Sequence, residues 1–86
     1  MGVQRVAFSR HARQQMLERG ASEEEVVDAI VHGERVLAKH GRMAARRNFQ
    51  YERRWGGRFY HIKQVMPIIT YDKGRTVVIT VYVLYF

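Results

Sequence analysis

Cysteine is absent from these 86 residues, proline occurs once, and acidic side chains number eight against 15 basic ones. Without cysteine there is no disulfide and no thiolate metal site, which fits a reducing compartment. The lone proline, in Met66-Pro67, cannot donate to a strand ladder and argues for an edge or a bulge there. No apolar run approaches the roughly 20 residues of a membrane-spanning helix, and the longest, Val77 to Phe86, reads as a strand. The N-terminal stretch lacks the apolar core of a signal peptide, and Met1-Gly2 lacks the Ser/Thr of a myristoylation signal. A cytoplasmic protein without membrane contact is therefore expected. The motifs G-x-x-x-x-G-K-S/T, G-x-S-x-G and G-x-G-x-x-G are missing, which leaves nucleotide hydrolysis and serine-hydrolase chemistry without support. Histidines 11, 32, 40 and 61 show no close pairing, so neither a metal nor another cofactor is expected.

What the chain does have is one domain's worth of apolar residues and a strong positive charge. Hydrophobic residues make up 47% and aromatics 12%, enough for a compact core and against disorder. The net charge is +7, with a pI near 10.4, which favours polyanionic partners. Arg35 to Lys63 holds most of the basic groups with Glu52 as their sole acid, whereas Glu18 to Glu34 holds most of the acids. This segregation predicts one basic face.

Helix signals are concentrated near the start. Ser9 suits an N-cap, and a helix runs from about Arg10 to Arg19 with Ala12, Met16 and Leu17 inward. Gly20 suits a left-handed stop. Ser22 and Glu25 form a capping box for a second helix, whose stripe of Val26, Val27, Ile30 and Val31 ends at Gly33. His32 is expected to interact with the end of that helix.

The remainder reads as a sheet. Arg35 to Lys39 is a short strand and His40 to Arg46 a basic loop. Arg47 to Trp55 and Arg58 to Tyr71 flank a Gly56-Gly57 hairpin, and Thr76 to Phe86 follows a turn at Asp72-Lys73-Gly74. In the last strand the odd positions, Val77 to Tyr85, are expected to face the helices. The register pairs Tyr71 with Thr76, Ile69 with Val78 and Val65 with Tyr82. It puts Lys63 and His61 on the face of Thr80 and Tyr82, and Ile62, Met66 and Ile68 on the helix-packed face. The fold class is α+β, with two N-terminal helices packed on one face of a four- or five-stranded antiparallel sheet.

His11-Ala12, Met16, Glu18-Arg19-Gly20-Ala21-Ser22 and Glu25-Val26, with the closing Val78-Ile79-Thr80-Val81-Tyr82, carry a resemblance. The chain resembles a small family of uncharacterised bacterial and phage domains with the pattern H-A-x-x-R-M-x-E-R-G-I-S-x-E-x-V. Gln15 stands where that pattern has arginine. The family looks related to the RelE, BrnT and colicin D type ribonucleases, which implies a RelE- or barnase-like fold and RNA cleavage without metal.

Such cleavage needs a group to take the 2′-OH proton, an acid for the leaving 5′-oxygen and cations for the charge on phosphorus. His11, in the first helical turn, suits the base or acid. It points away from Ala12 and Met16, and reaches the open sheet face only if its helix lies along the sheet's edge. Arg19 and Lys63 suit charge stabilisation, and Thr80 and Tyr82 substrate positioning. The same groups have plainer uses: Arg19 at a helix C-terminus, Lys63 as strand-edge protection, Tyr82 as a sheet aromatic. Arg13, Arg46, Arg47, Arg53, Arg54 and Arg58, with Trp55 for stacking, form an expected nucleic-acid surface. The leading expectation is a toxin-like endoribonuclease acting on single-stranded mRNA or tRNA, neutralised by an acidic antitoxin or immunity protein. A non-catalytic RNA- or DNA-binding module is the alternative, and a protein-interaction domain using the last strand as an edge is a third.

Overall fold

The two helices start and stop where the chemistry of their ends requires. Helix α1 (Arg10–Arg19) begins at Ser9, whose hydroxyl oxygen accepts the Ala12 N–H, and ends at Gly20 in the left-handed region. Helix α2 (Glu23–His32) opens on a complete capping box. Ser22 Oγ accepts the Glu25 N–H, and the Glu25 carboxylate accepts the Ser22 N–H. It ends at Gly33, where an added Cβ would overlap the carbonyls of Ala29 and Arg46. His32 bonds Asp28 one turn back, with 2.7 Å between Nδ1 and Oδ1.

The computed structural model describes residues 5–86, so the reading of Met1-Gly2 lies outside it. Five strands form one sheet: β1 (Val6–Phe8), β2 (Glu34–Leu37), β3 (Met43–Trp55), β4 (Arg58–Asp72) and β5 (Arg75–Tyr85). Their order is β1-β5-β4-β3-β2. All neighbours are antiparallel except β1, which runs parallel to β5 from Val6↔Thr76 to Phe8↔Val78. The fold is thus α+β, with both helices packed on a five-stranded, mostly antiparallel sheet. β1 has no sequence signature because three residues are too few to show a period. The expected basic loop from His40 to Arg46 contracts to a 3-10 turn at Lys39–Gly41, since Met43 to Arg46 already pair with β2. Gly56-Gly57 and Lys73-Gly74 both have positive φ at each residue, the requirement of a type I′ hairpin.

Ala12 and Met16 from α1, with Val26 and Ile30 from α2, close over Val65, Ile69, Val78 and Val81. Each buried valine, isoleucine or methionine here contributes about 1.5–3 kcal/mol. Leu17 corrects the expected inner stripe of α1: it is 80% exposed, and Gln15 takes the inner place. Likewise Val31 of α2 is exposed.

A bulge decides which side chains meet the helices. The β4–β5 ladder runs Tyr71↔Thr76 and Ile69↔Val78, then Ile68↔Thr80, leaving Ile79 as the extra residue. Before it Val78 joins the core; beyond it Val81 and Val83 do. The expected odd-position face therefore holds only past Ile79. The slip also corrects β4. Val65 opposes Val83, not Tyr82, and Lys63 opposes Tyr85 on the helix side. Ile62, Met66 and Ile68 share the other face with Thr80 and Tyr82, while the exposed His61 pairs with Glu52 at 2.9 Å. Pro67 lies in an interior strand beside the bulge, not at an edge. No described helix is long and apolar enough to cross a membrane.

Candidate nucleic-acid interface

β1 accompanies β5 only as far as Val78, so the edge of β5 beyond it has no strand partner. Helix α1 supplies what is missing. The Ser9 hydroxyl donates to the Ile79 carbonyl at 2.9 Å, and the Arg19 guanidinium donates to the Val81 carbonyl at 2.7 Å. The Gln15 side-chain oxygen accepts the Val81 N–H at 3.0 Å and also the Thr80 hydroxyl. Backbone groups of Ile79 and Val81 that would otherwise be orphaned are thereby satisfied, and this part of the edge is covered by α1.

This arrangement answers the geometric condition on His11. Residues 11, 15 and 19 are four apart and share one helical stripe. The helix lies along the sheet edge, and the stripe touches β5 at Thr80, Val81 and Tyr82. The Arg19 guanidinium sits over the Tyr82 ring, 5.4 Å from its centroid. His11 occupies the first turn of the stripe; it is exposed and makes no hydrogen bond or ion pair among the described residues. Arg19, Thr80 and Tyr82 thus belong to one margin of the molecule, with His11 two helical turns, about 12 Å, along the same stripe from Arg19. Lys63 does not. It is 5% exposed, and its Nζ donates to the Gly20 carbonyl and to Glu25 Oε1, the latter at 2.8 Å. Strand alternation puts it on the helix side with Val65 and Ile69, where it ties the α1–α2 junction to the sheet.

Away from the helices, cross-strand pairs align Val36, Ala44, Ile68 and Thr80 in one row, with Met66 opposite Tyr82 in the next. These residues floor and flank a groove of about 390 Å³. Its far wall is the 3-10 turn, with Lys39, His40 and Arg42. His40 is left-handed, at φ 61° and ψ 31°, and Gly41 follows at φ 69°. Sequence reasoning gave His40 no role. The available signal was local: three basic or titratable side chains around a single glycine.

The basic surface divides in two. Arg13 pairs with Glu23, Arg46 with Glu34 at 2.8 Å, and Arg47 with Asp28 at 3.5 Å, so carboxylates already occupy these three. Arg53, Arg54 and Arg58 lie at the β3–β4 hairpin and have no carboxylate partner among the described residues. Arg53 stacks over Tyr51, Arg58 over Tyr60, and Arg54 donates to the Gly57 carbonyl at 3.1 Å. Trp55 is not a free stacking platform on both faces, because it lies against Tyr85 with centroids 5.1 Å apart and planes 14° from parallel. Tyr85 is the anchor of this end. Its hydroxyl donates to the Arg19 carbonyl at 2.6 Å. Burial, then the neighbouring Tyr51 and Glu25, push its pKa up to about 12, with Arg53 opposing.

No group of three or more His, Asp or Glu side chains that could hold a metal occurs among the described residues. A family model described as a domain of unknown function, DUF4258, matches residues 8–83. Neither a curated protein nor a solved structure matches. The matched span contains the α1 stripe, the groove and the basic hairpin, and the chain belongs to the DUF4258 family.

Proposed function

We propose that this protein is a metal-independent endoribonuclease that cuts single-stranded RNA, mRNA or tRNA, in the manner of the RelE, BrnT and colicin D type toxins. The observation that supports the reading is the helical stripe of His11, Gln15 and Arg19 along the β5 edge, in which Gln15 and Arg19 lie against Thr80, Val81 and Tyr82. It brings a guanidinium and two hydroxyl-bearing side chains to one margin, with a titratable group two turns along the same helix.

In the proposed step the ribose 2′-oxygen bonds to phosphorus and the bond from phosphorus to the 5′-oxygen breaks. His11 takes the 2′-OH proton while water protonates the leaving 5′-oxygen, or His11 protonates that oxygen while water takes the 2′-OH proton. Arg19 spends one N–H on Val81, and its remaining donors and positive charge counter the charge building on the phosphoryl oxygens. Thr80 and Tyr82 position the nucleotide. Lys63, held by Glu25, serves the fold instead of the phosphorus. Arg53, Arg54 and Arg58 track the flanking phosphates. Such a substrate is cytoplasmic, and a partner that silences the enzyme is an acidic antitoxin or immunity protein complementary to the +7 surface.

A second reading is a non-catalytic RNA- or DNA-binding module. It is favoured by one observation: no described side chain orients the His11 ring. Incubating labelled RNA with the wild type and with His11→Ala in EDTA separates the two. The nuclease reading requires scission by the wild type alone, whereas binding without scission, indifferent to His11→Ala, supports the module.

A further inference from the structure

We propose that the open-face groove is a nucleotide subsite, in which Lys39, His40 and Arg42 hold a phosphate and Tyr82 stacks the base. The assignment rests on the endoribonuclease reading for its role in turnover, and on the groove itself for the ligand.

The charge of the groove points to an anion. The 3-10 turn contributes an ammonium, an imidazole and a guanidinium, and no carboxylate lines the cavity. Neither Lys39 nor Arg42 takes part in an ion pair among the described residues, unlike Arg13, Arg46 and Arg47. Their donors are therefore available to phosphate oxygens. The rest of the cavity points to a base. Its floor is apolar, formed by Ala44, Met66 and Ile68, and the Tyr82 ring at its margin is half-exposed. Arg19 lies over the Tyr82 ring, so the aromatic platform is held from the helix side. A volume of about 390 Å³ falls within the range of small-ligand sites. An inorganic anion alone leaves the apolar floor and the ring unused, whereas a nucleotide uses both ends.

The backbone at His40 is left-handed, a conformation histidine tolerates better than most residues, and it sets the imidazole in the turn between Lys39 and Arg42.

The test is NMR titration of the full chain with adenosine 3′-monophosphate and uridine 3′-monophosphate in EDTA, with inorganic phosphate and the free nucleosides as separate arms. The proposal expects shifts at Lys39, His40, Arg42, Met66, Thr80 and Tyr82, with either nucleotide binding more tightly than phosphate or nucleoside. Lys39→Ala with Arg42→Ala should weaken the nucleotides by about tenfold or more, and Tyr82→Ala by roughly fivefold or more. His40→Asn, which suits the left-handed backbone, should weaken them while leaving the fold unchanged. Shifts confined to Arg54, Trp55 and Arg58, or affinity indifferent to Lys39, Arg42 and His40, would overturn the subsite. Binding in the groove by a protein that cuts no RNA leaves the subsite standing and removes the nuclease reading. Cleavage that persists without groove binding does the reverse.

Discussion

Gln15 and Val81 are joined as a helix side chain and a strand backbone, Gln15 Oε1 accepting the Val81 N–H at 3.0 Å. The same oxygen takes the Thr80 hydroxyl, so one amide satisfies the strand edge at Val81 and fixes a candidate substrate-facing side chain. Gln15→Ala leaves a buried donor unpaired and is expected to cost about 1–3 kcal/mol. Urea denaturation reads this directly. Gln15→Glu, which keeps an acceptor, should recover part of the loss.

Lys63 and Glu25 give a second expectation. Lys63 is buried, and the glutamate also caps α2, so the pair links helix, loop and sheet. Removing Lys63 leaves a partly exposed Glu25 carboxylate that still caps α2, and leaves the Gly20 carbonyl without its donor; Lys63→Met or Lys63→Ala is expected to cost about 1–3 kcal/mol. If the lysine instead acted on phosphate, Lys63→Met would weaken RNA binding with little change in the urea midpoint. The reverse pattern is expected.

Gly20 holds a third. Its φ of +81° and the nearness of Trp55 and Tyr85, each 2.8 Å from the place of an added Cβ, leave no room for a side chain. Gly20→Ala should destabilise the protein by about 1 kcal/mol or more and move the indole. Trp55 is the sole tryptophan, so its fluorescence reports the displacement without a label.

Tyr85 predicts a dependence on alkali. Its folded pKa of about 12 lies above the ordinary 10.0, so the unfolded chain loses this proton first. Its contribution is fully present below pH 10 and declines as the pH rises towards 12. Tyr85→Phe should flatten that decline in a pH series of urea midpoints.

The helices were legible because their signals are local. Ser9, Gly20 and the Ser22/Glu25 box each act within one turn and survive any tertiary arrangement. The sheet faces were not legible in the same way. Val77 to Val81 is so evenly apolar or β-branched that no period marks Ile79 as a bulge, and one extra residue exchanged the partners of Lys63, Met66 and Tyr82. Gln15 was hidden for the opposite reason: a polar residue reads as outward-facing, yet here it pairs with backbone polar groups. His40 sits in a turn, where no periodicity assigns direction. For the site, Arg19, Thr80 and Tyr82 meet at one margin and His11 shares Arg19's helical stripe, whereas the environment of Lys63 was misjudged.

The most direct measurement is scission of an end-labelled single-stranded RNA in EDTA, beside the same strand carrying 2′-O-methyl at every ribose. The account predicts cutting of the unmodified strand only, with 2′,3′-cyclic phosphate ends, and a fall of about 100-fold or more in His11→Ala. Cutting of the methylated strand, equal cutting by His11→Ala, or no cutting of either strand would contradict it.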